Sequence, residues 1–430
     1  MHINAIYSDT WLKRGLLFFA FSLALSKSAG NIILALMCFY FIFRLLTDSN
    51  YRLRFHHLGL QPILVPFALF FLVAFIGIFY STTIAGGFNV AKKFSSLPLI
   101  YFMVSTVIEM EPDKAIRSRL AENILLSFIA GIAMLDIVAL MTYAGFVGHK
   151  KHILPLAPLH VHHIWFANIN AIGIYSSAAF LLFTSRNKQF QKKALALTVF
   201  ILLALISVLL SWSRTAWFGI LGTMFILFSL FPFRKKKRAF ASMTAIVILC
   251  SCLFYQFNPI IHERLHGIFL DLNKFAAGDA DSSLGGRFLM WKASIEMFLS
   301  SPLYGVGTGD YVPAMMEFIK EGSYPEFLSE YNQPHNIYLF TLATNGLIGL
   351  SSLLYLFYKN IRFSAPLIRS PHWDGTFGFL AVAVTVHYMA AGMTDSFFNI
   401  QMLRYVFAFV IGVCVRRSLN AEGGSYAKLP

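Results

Sequence analysis

Charge is scarce in this chain. Only 13% of its 430 residues are Asp, Glu, Lys or Arg, while 57% are hydrophobic; soluble domains carry roughly twice that share of charge. A water-soluble globule is excluded, and so is a disordered chain, which needs low hydrophobicity. Cysteine is scarce as well. Cys38, Cys250, Cys252 and Cys414 all lie inside apolar segments, so the chain has neither a disulfide framework nor a zinc-type spacing, and these thiols read as small buried hydrophobes. A strong internal repeat is missing. A cleavable leader is missing too: the apolar stretch 12–26 is followed by Lys27, not by a small-x-small cleavage site, and reads as a first spanning helix.

What the chain does have is a series of apolar runs, each about long enough to cross a bilayer. The 45 Phe residues suit lipid-facing helices. The pattern predicts an all-α polytopic membrane protein with about twelve spans, at 12–26, 29–46, 62–80, 94–110, 122–145, 163–184, 194–211, 214–232, 239–256, 336–357, 376–393 and 400–415. The net charge of +15 then has a topological explanation. Roughly two thirds of the cations fall in loops that share one side if both termini are cytoplasmic, as the positive-inside rule requires. The run Arg234 to Arg238 is such an anchor and needs no nucleic acid. Three regions follow: 1–256 with nine spans, 257–335 as a long periplasmic loop, and 336–430 with three spans and a cytoplasmic tail. Within the loop, Phe288, Trp291, Ile295 and Phe298 recur at helical spacing and predict an amphipathic helix on the membrane or capping the bundle. Gly305, Gly307 and Gly309 predict a turn after Pro302. No strand precedes them and no Lys-Ser/Thr follows, so they do not form a phosphate loop.

Charges inside spans are expensive and invite a functional question. Asp136 and His387 are mid-span and read as helix–helix polar contacts. A transporter would need more there, on broken helices in paired repeats. The cations that break the inside bias cluster at the outer ends instead: Lys92 and Lys93 before the fourth span, Arg214 between the seventh and eighth, Arg287 in the long loop, His335 at the opening of the tenth, and Arg404 one turn into the twelfth. Ser213 is a natural N-cap, placing Arg214 in a first helical turn, where free N–H groups, the helix dipole and a guanidinium fork suit phosphate. Pro334 suits the first helical position behind Asn332 as cap, which would put His335 at a helix N-terminus, neutral and able to accept a proton. His149, His152, His160, His162 and His163 lack carboxylate or thiol partners for a metal. With Lys150 and Lys151 beside them they suit an anionic lipid or sugar phosphate, or interfacial packing.

At these residues the chain resembles the O-antigen ligase family, within a group that includes Wzy-type O-antigen polymerases. One signature is His335-Asn336, nine residues, then Gly346-Leu347-Ile348-Gly349; the second is Arg214-Thr215-Ala216-Trp217-Phe218, with Phe where the family has Leu. The stretch from Gly286-Arg287 through Ser301-Pro302-Leu303-Tyr304-Gly305 also resembles the family's loop. The resemblance implies a fold similar to the C-type membrane glycosyltransferases. It implies an undecaprenyl-diphosphate-linked glycan as donor and a lipid A-core sugar hydroxyl as acceptor, on the periplasmic face. His335, Arg214 and Arg287 would be the catalytic groups. Arg214, Arg287, Lys92, Lys93 and Asn336 would bind substrate. Neither metal nor cofactor is expected. A polymerase joining lipid-linked repeats would use the same site. Asp310 is the carboxylate of interest nearest the glycine turn.

Overall fold

The structure is a computed structural model, and it describes residues 9–146, 155–158, 161–183, 188–230, 241, 245, 248, 256, 259–370 and 372–416. Most of the expected span 239–256 lies outside the described residues. So do the Arg234–Arg238 run, Cys250, Cys252, His149, Lys150, Lys151, His152, His160 and the tail from 417.

Among the described residues every regular element is helical. The helices are α1 (Thr10–Leu25), α2 (Lys27–Thr47), α3 (Ser49–Leu58), α4 (Leu64–Ile76), α5 (Ile84–Glu109), α6 (Lys114–Tyr143), α7 (His163–Phe183), α8 (Lys188–Leu210), α9 (Arg214–Leu230), α10 (Pro259–Ala276), α11 (Ser283–Ser300), α12 (Tyr311–Lys320), α13 (Ile337–Ser364), α14 (His372–Ala391) and α15 (Gln401–Cys414). Eleven of the expected spans overlap a helix; the twelfth is 239–256. Five helical segments, Lys27–Thr47, Lys114–Tyr143, His163–Phe183, Gln191–Leu210 and Ile337–Arg369, are long and apolar enough to cross a membrane by length and composition, consistent with a polytopic membrane protein. The short α3, with its polar and basic sequence, was not foreseen.

The core sits around α15. Its residues from Met402 to Cys414 are almost all buried, packed by α5, α14, α7 and α1. Outward-facing Phe18, Phe39, Phe79 and Phe225 stay exposed, as lipid-facing side chains do. Ion pairs gather at one end of the bundle: Lys13 with Glu111, Arg117 with Glu109 at 3.5 Å, and Lys193 with Glu122 at 3.1 Å. Inside, Asp136 accepts from Asn170 Nδ2 at 2.9 Å. His387 lies 3.0 Å from the Tyr175 hydroxyl through Nδ1 and 2.9 Å from Asn168 Oδ1 through Nε2. Both groups make the helix–helix contacts expected of them.

The helix expected in the long loop is present as α11. It buries Met290, Ala293, Ser294 and Met297, while Phe288, Trp291 and Phe298 are half-buried and Ile295 is exposed. It packs on α13, so its buried face takes the small and flexible side chains. Phe288 instead meets Phe275 of α10 at 5.2 Å between centroids.

α13 is broken at Gly346, whose φ of 60° and ψ of −157° leave the helical region. The break frees two carbonyls and two amides, and the 302–307 loop satisfies all four. Val306 N donates to Ala343 O at 2.9 Å and Gly307 N to Thr344 O at 3.1 Å. Leu347 N donates to Pro302 O at 2.9 Å and Ile348 N to Leu303 O at 3.3 Å. The amides of 306 to 308 are thus consumed by protein carbonyls, which leaves no phosphate cradle. Asp310 accepts from Ser81 Oγ at 2.7 Å, Thr82 N at 2.6 Å and Thr83 N at 2.9 Å. It locks the loop to the start of α5 and is structural. Asp310→Ala should therefore lower stability by about 2 kcal/mol, since it removes the acceptor shared by three part-buried donors. Thermal unfolding in detergent checks this; an unchanged midpoint would contradict the assignment.

Candidate functional site

The ends of α13, α14 and α15 meet opposite the ion-paired end of the bundle. Asn336 is the N-cap of α13, accepting from Tyr338 N at 3.0 Å and Leu339 N at 3.1 Å, and its own amide donates to Met393 O at 3.1 Å. The expected start at Pro334 behind Asn332 is therefore corrected: an Asn side chain two residues later captures the free N–H groups. His335 stands just outside the helix, in the left-handed region with φ 50°. A bulky residue there is strained, and such strain concentrates where geometry is functional. Trp291 Nε1 donates to Pro334 O at 2.9 Å, and Ile337 N donates to Gly392 O at 2.8 Å. The chain is thus pinned just before His335 and two residues after it.

His335 faces Asp395. Its Nδ1 is 3.2 Å from Asp395 Oδ1. A carboxylate can only accept, so Nδ1 carries a hydrogen, and the neutral form of the ring keeps its lone pair on Nε2. Asp395 is 3% exposed and is held by Ser396 N at 2.8 Å and Gln333 Nε2 at 3.4 Å. Tyr331 lies edge-on to the imidazole, 6.0 Å between centroids. Arg287 reaches the same segment from α11: its NH1 donates to Thr394 O at 3.2 Å. Burial pushes its guanidinium below the usual range, while the Asp395 charge opposes that shift. The structure thus brings Arg287 and His335 together, with Thr394 and Asp395 between them.

Arg214 opens α9 as expected, with Ser213 Oγ accepting from Ala216 N at 3.3 Å. Trp212 just before it has φ 56°; with His335 it is one of the two non-glycine residues at positive φ among the described residues. The guanidinium lies beside α10, with NH2 3.6 Å from where a Cβ on Gly267 would stand. The turn joins the His335 neighbourhood through α7. His163 Nδ1 donates to Ser211 O at 2.8 Å, and the adjacent His162 lies within electrostatic range of both Asp395 and His335.

Lys92 and Lys93 lie inside α5, two turns past its start at Ile84; the helix begins ten residues before the apolar run that opens at 94. Lys93 lies in range of Arg404, whose Nε donates to Ser96 Oγ at 2.8 Å and whose NH1 donates to Phe398 O. Arg404 thereby holds the 397–399 turn that follows Asp395. Of the described His residues in the 149–163 cluster, His162 and His163 stack on each other at 4.5 Å. No metal-type grouping of three His, Cys, Asp or Glu occurs among the described residues.

Sequence reasoning missed Asp395. It is a lone acid between two apolar runs, and its position at an outer helix end opposite known cations was the available signal.

Residues 199–354 match the model of a family described as O-Antigen ligase. That segment includes Arg214, Arg287, His335 and the Gly346 break, but not Asp395. An O-antigen ligase of Escherichia coli strain K12 is 24% identical over 192 residues, 44% of either chain. A Haemophilus influenzae protein described as uncharacterized is 25% identical over 209 residues, 46% of this chain and 52% of that protein. The chain spans about half the length of the curated relatives it matches. The family match and the ligase relative support the resemblance read from the Arg214 and His335 signatures.

Proposed function

We propose that the chain is a membrane glycosyltransferase that moves a glycan from undecaprenyl diphosphate to a sugar hydroxyl of lipid A-core, on the periplasmic face and without a metal. The observation that carries this reading is the Asp395 carboxylate set between an imidazole and a half-buried guanidinium, His335 at 3.2 Å and Arg287 in electrostatic range. Asp395 orients His335 so that Nε2 accepts the proton of the acceptor hydroxyl. The hydroxyl oxygen then attacks the anomeric carbon, and the bond from that carbon to the diphosphate breaks. Negative charge grows on the leaving diphosphate, where Arg287 and Arg214 neutralise it; fixed cations in a water-poor rim are effective at this. Asn336 holds the histidine peptide in place, and Lys92 and Lys93 supply further positive charge at the membrane edge.

The topology that goes with this reading has about twelve spans and cytoplasmic termini. It is supported by the ion-paired, cation-rich loops at one end of the bundle and by the placement of His335, Asp395 and the Arg214 turn at the other. The test uses the full chain in liposomes with a lipid-linked glycan and lipid A-core. Glycan should appear on the core at full rate in EDTA, and His335→Ala should abolish it. Growth of the lipid-linked chain with an unmodified core would identify a polymerase instead. Glycan crossing the bilayer without transfer would identify a transporter.

A further inference from the structure

His162 enters α7 beside this site but has no part in the chemistry above. Its Nδ1 lies 3.3 Å from Ile164 N. A backbone N–H can only donate, so Nδ1 accepts and the ring proton of the neutral imidazole sits on Nε2. The ring is fixed by stacking, with centroids 4.5 Å from His163 and 5.5 Å from Trp165. Both neighbours are themselves held: His163 donates to Ser211 O at 2.8 Å, and the Lys27 ammonium stands 4.1 Å over the Trp165 ring. A stacked ring on an exposed residue therefore offers its N–H next to the turn that carries Arg214 and in electrostatic range of the His335–Asp395 pair. Its tautomer is the reverse of His335: one imidazole offers a lone pair, the other a hydrogen.

We propose that His162 is a second imidazole of the site, whose Nε2–H donates to an anionic oxygen of the diphosphate. This rests on the reading of the site as one for a lipid diphosphate. The donor stays available at neutral pH without a charge, because burial and the nearby His335 hold the imidazole below its ordinary range, with Asp395 opposing. The arrangement lets a neutral donor complement the two arginines.

The experiment measures binding of farnesyl diphosphate to the full chain in nanodiscs by calorimetry. His162→Phe keeps an aromatic ring and removes the donor; it should weaken binding roughly tenfold or more, as expected for a hydrogen bond to a charged group. His162→Gln, whose amide nitrogen stands near the Nε2 position, should bind within about threefold of the parent chain on the same scale. His162→Asn reaches only the Nδ1 position and should behave like the Phe variant, which keeps the test open if the latter fails to fold. Inorganic pyrophosphate should show the same fold-loss. A loss confined to farnesyl diphosphate would put His162 on the isoprenoid and overturn the proposal. Equal binding by the parent, Phe and Asn variants would overturn it as well. Absence of diphosphate binding by the parent chain would instead remove the functional reading beneath it.

Discussion

Asp395→Asn should lower glycan transfer by roughly two to four orders of magnitude, with the thermal midpoint falling far less. The amide can still accept from Ser396 N, now 2.8 Å from Oδ1, so the 392–399 segment keeps its fold. What changes is the charge beside the imidazole. Ser396 N and His335 Nδ1 meet the same oxygen, Oδ1, so the amide oxygen kept there preserves the tautomer, but the neutral amide no longer stabilises the imidazolium that forms when Nε2 takes the acceptor proton. His335→Ala should be as severe, and the double variant no worse than either alone, because the two side chains act as one unit. Initial rates at saturating donor, with the donor KM measured in parallel, check this. Additive losses would show that Asp395 serves Arg287 alone, through charge, and not the histidine.

Gly309→Ala should prevent the protein from accumulating in a folded form. The added methyl would stand 2.3 Å from Gly87 N and 2.6 Å from Gly86 C, both rigid backbone of α5, at a φ of +105°. Neither contact can be relieved by a rotamer change. The destabilisation should be about 4 kcal/mol or more, combining overpacking with backbone strain. Gly322→Ala is the control, with φ +74° and nothing within 4 Å; it should cost about 1 kcal/mol for the left-handed backbone alone. Yield and midpoint in detergent separate the two. Equal behaviour would show that the 301–309 loop is not held against α5 as described.

The helices were legible because hydrophobicity and length dominate in lipid, and α1, α7 and α15 follow the apolar runs within a few residues. The Ser213 cap was legible for a local reason: a hydroxyl three residues before a backbone N–H needs no tertiary information. The cap of α13 was not, because Asn332 and Asn336 both qualify. Only the tie from Asn336 to Met393, 57 residues on, decides between them. The break in α13 was hidden for a similar reason. Gly346 and Gly349 fit a helix made of small residues, and what opens the first is the arrival of a loop more than 35 residues upstream. The aromatic spacing of α11 announced the helix but not which of its faces α13 would cover. Close packing against α13 selected Ala293, Ser294 and two methionines. Arg214, Arg287 and His335 stood out as charges against the topological grain, whereas Asp395 carried no such flag.

The interruption at Gly346 divides α13 into an outer stub next to His335 and a longer lower shaft. The stub is fastened to its neighbours through the amides of the loop that fills the gap. The shaft is fastened to the same loop, since Leu347 N and Ile348 N donate to Pro302 O and Leu303 O. Stub, loop and shaft therefore form one braced unit, and a tilt of the shaft in a bilayer of different thickness would be carried to the His335 end rather than absorbed at Gly346.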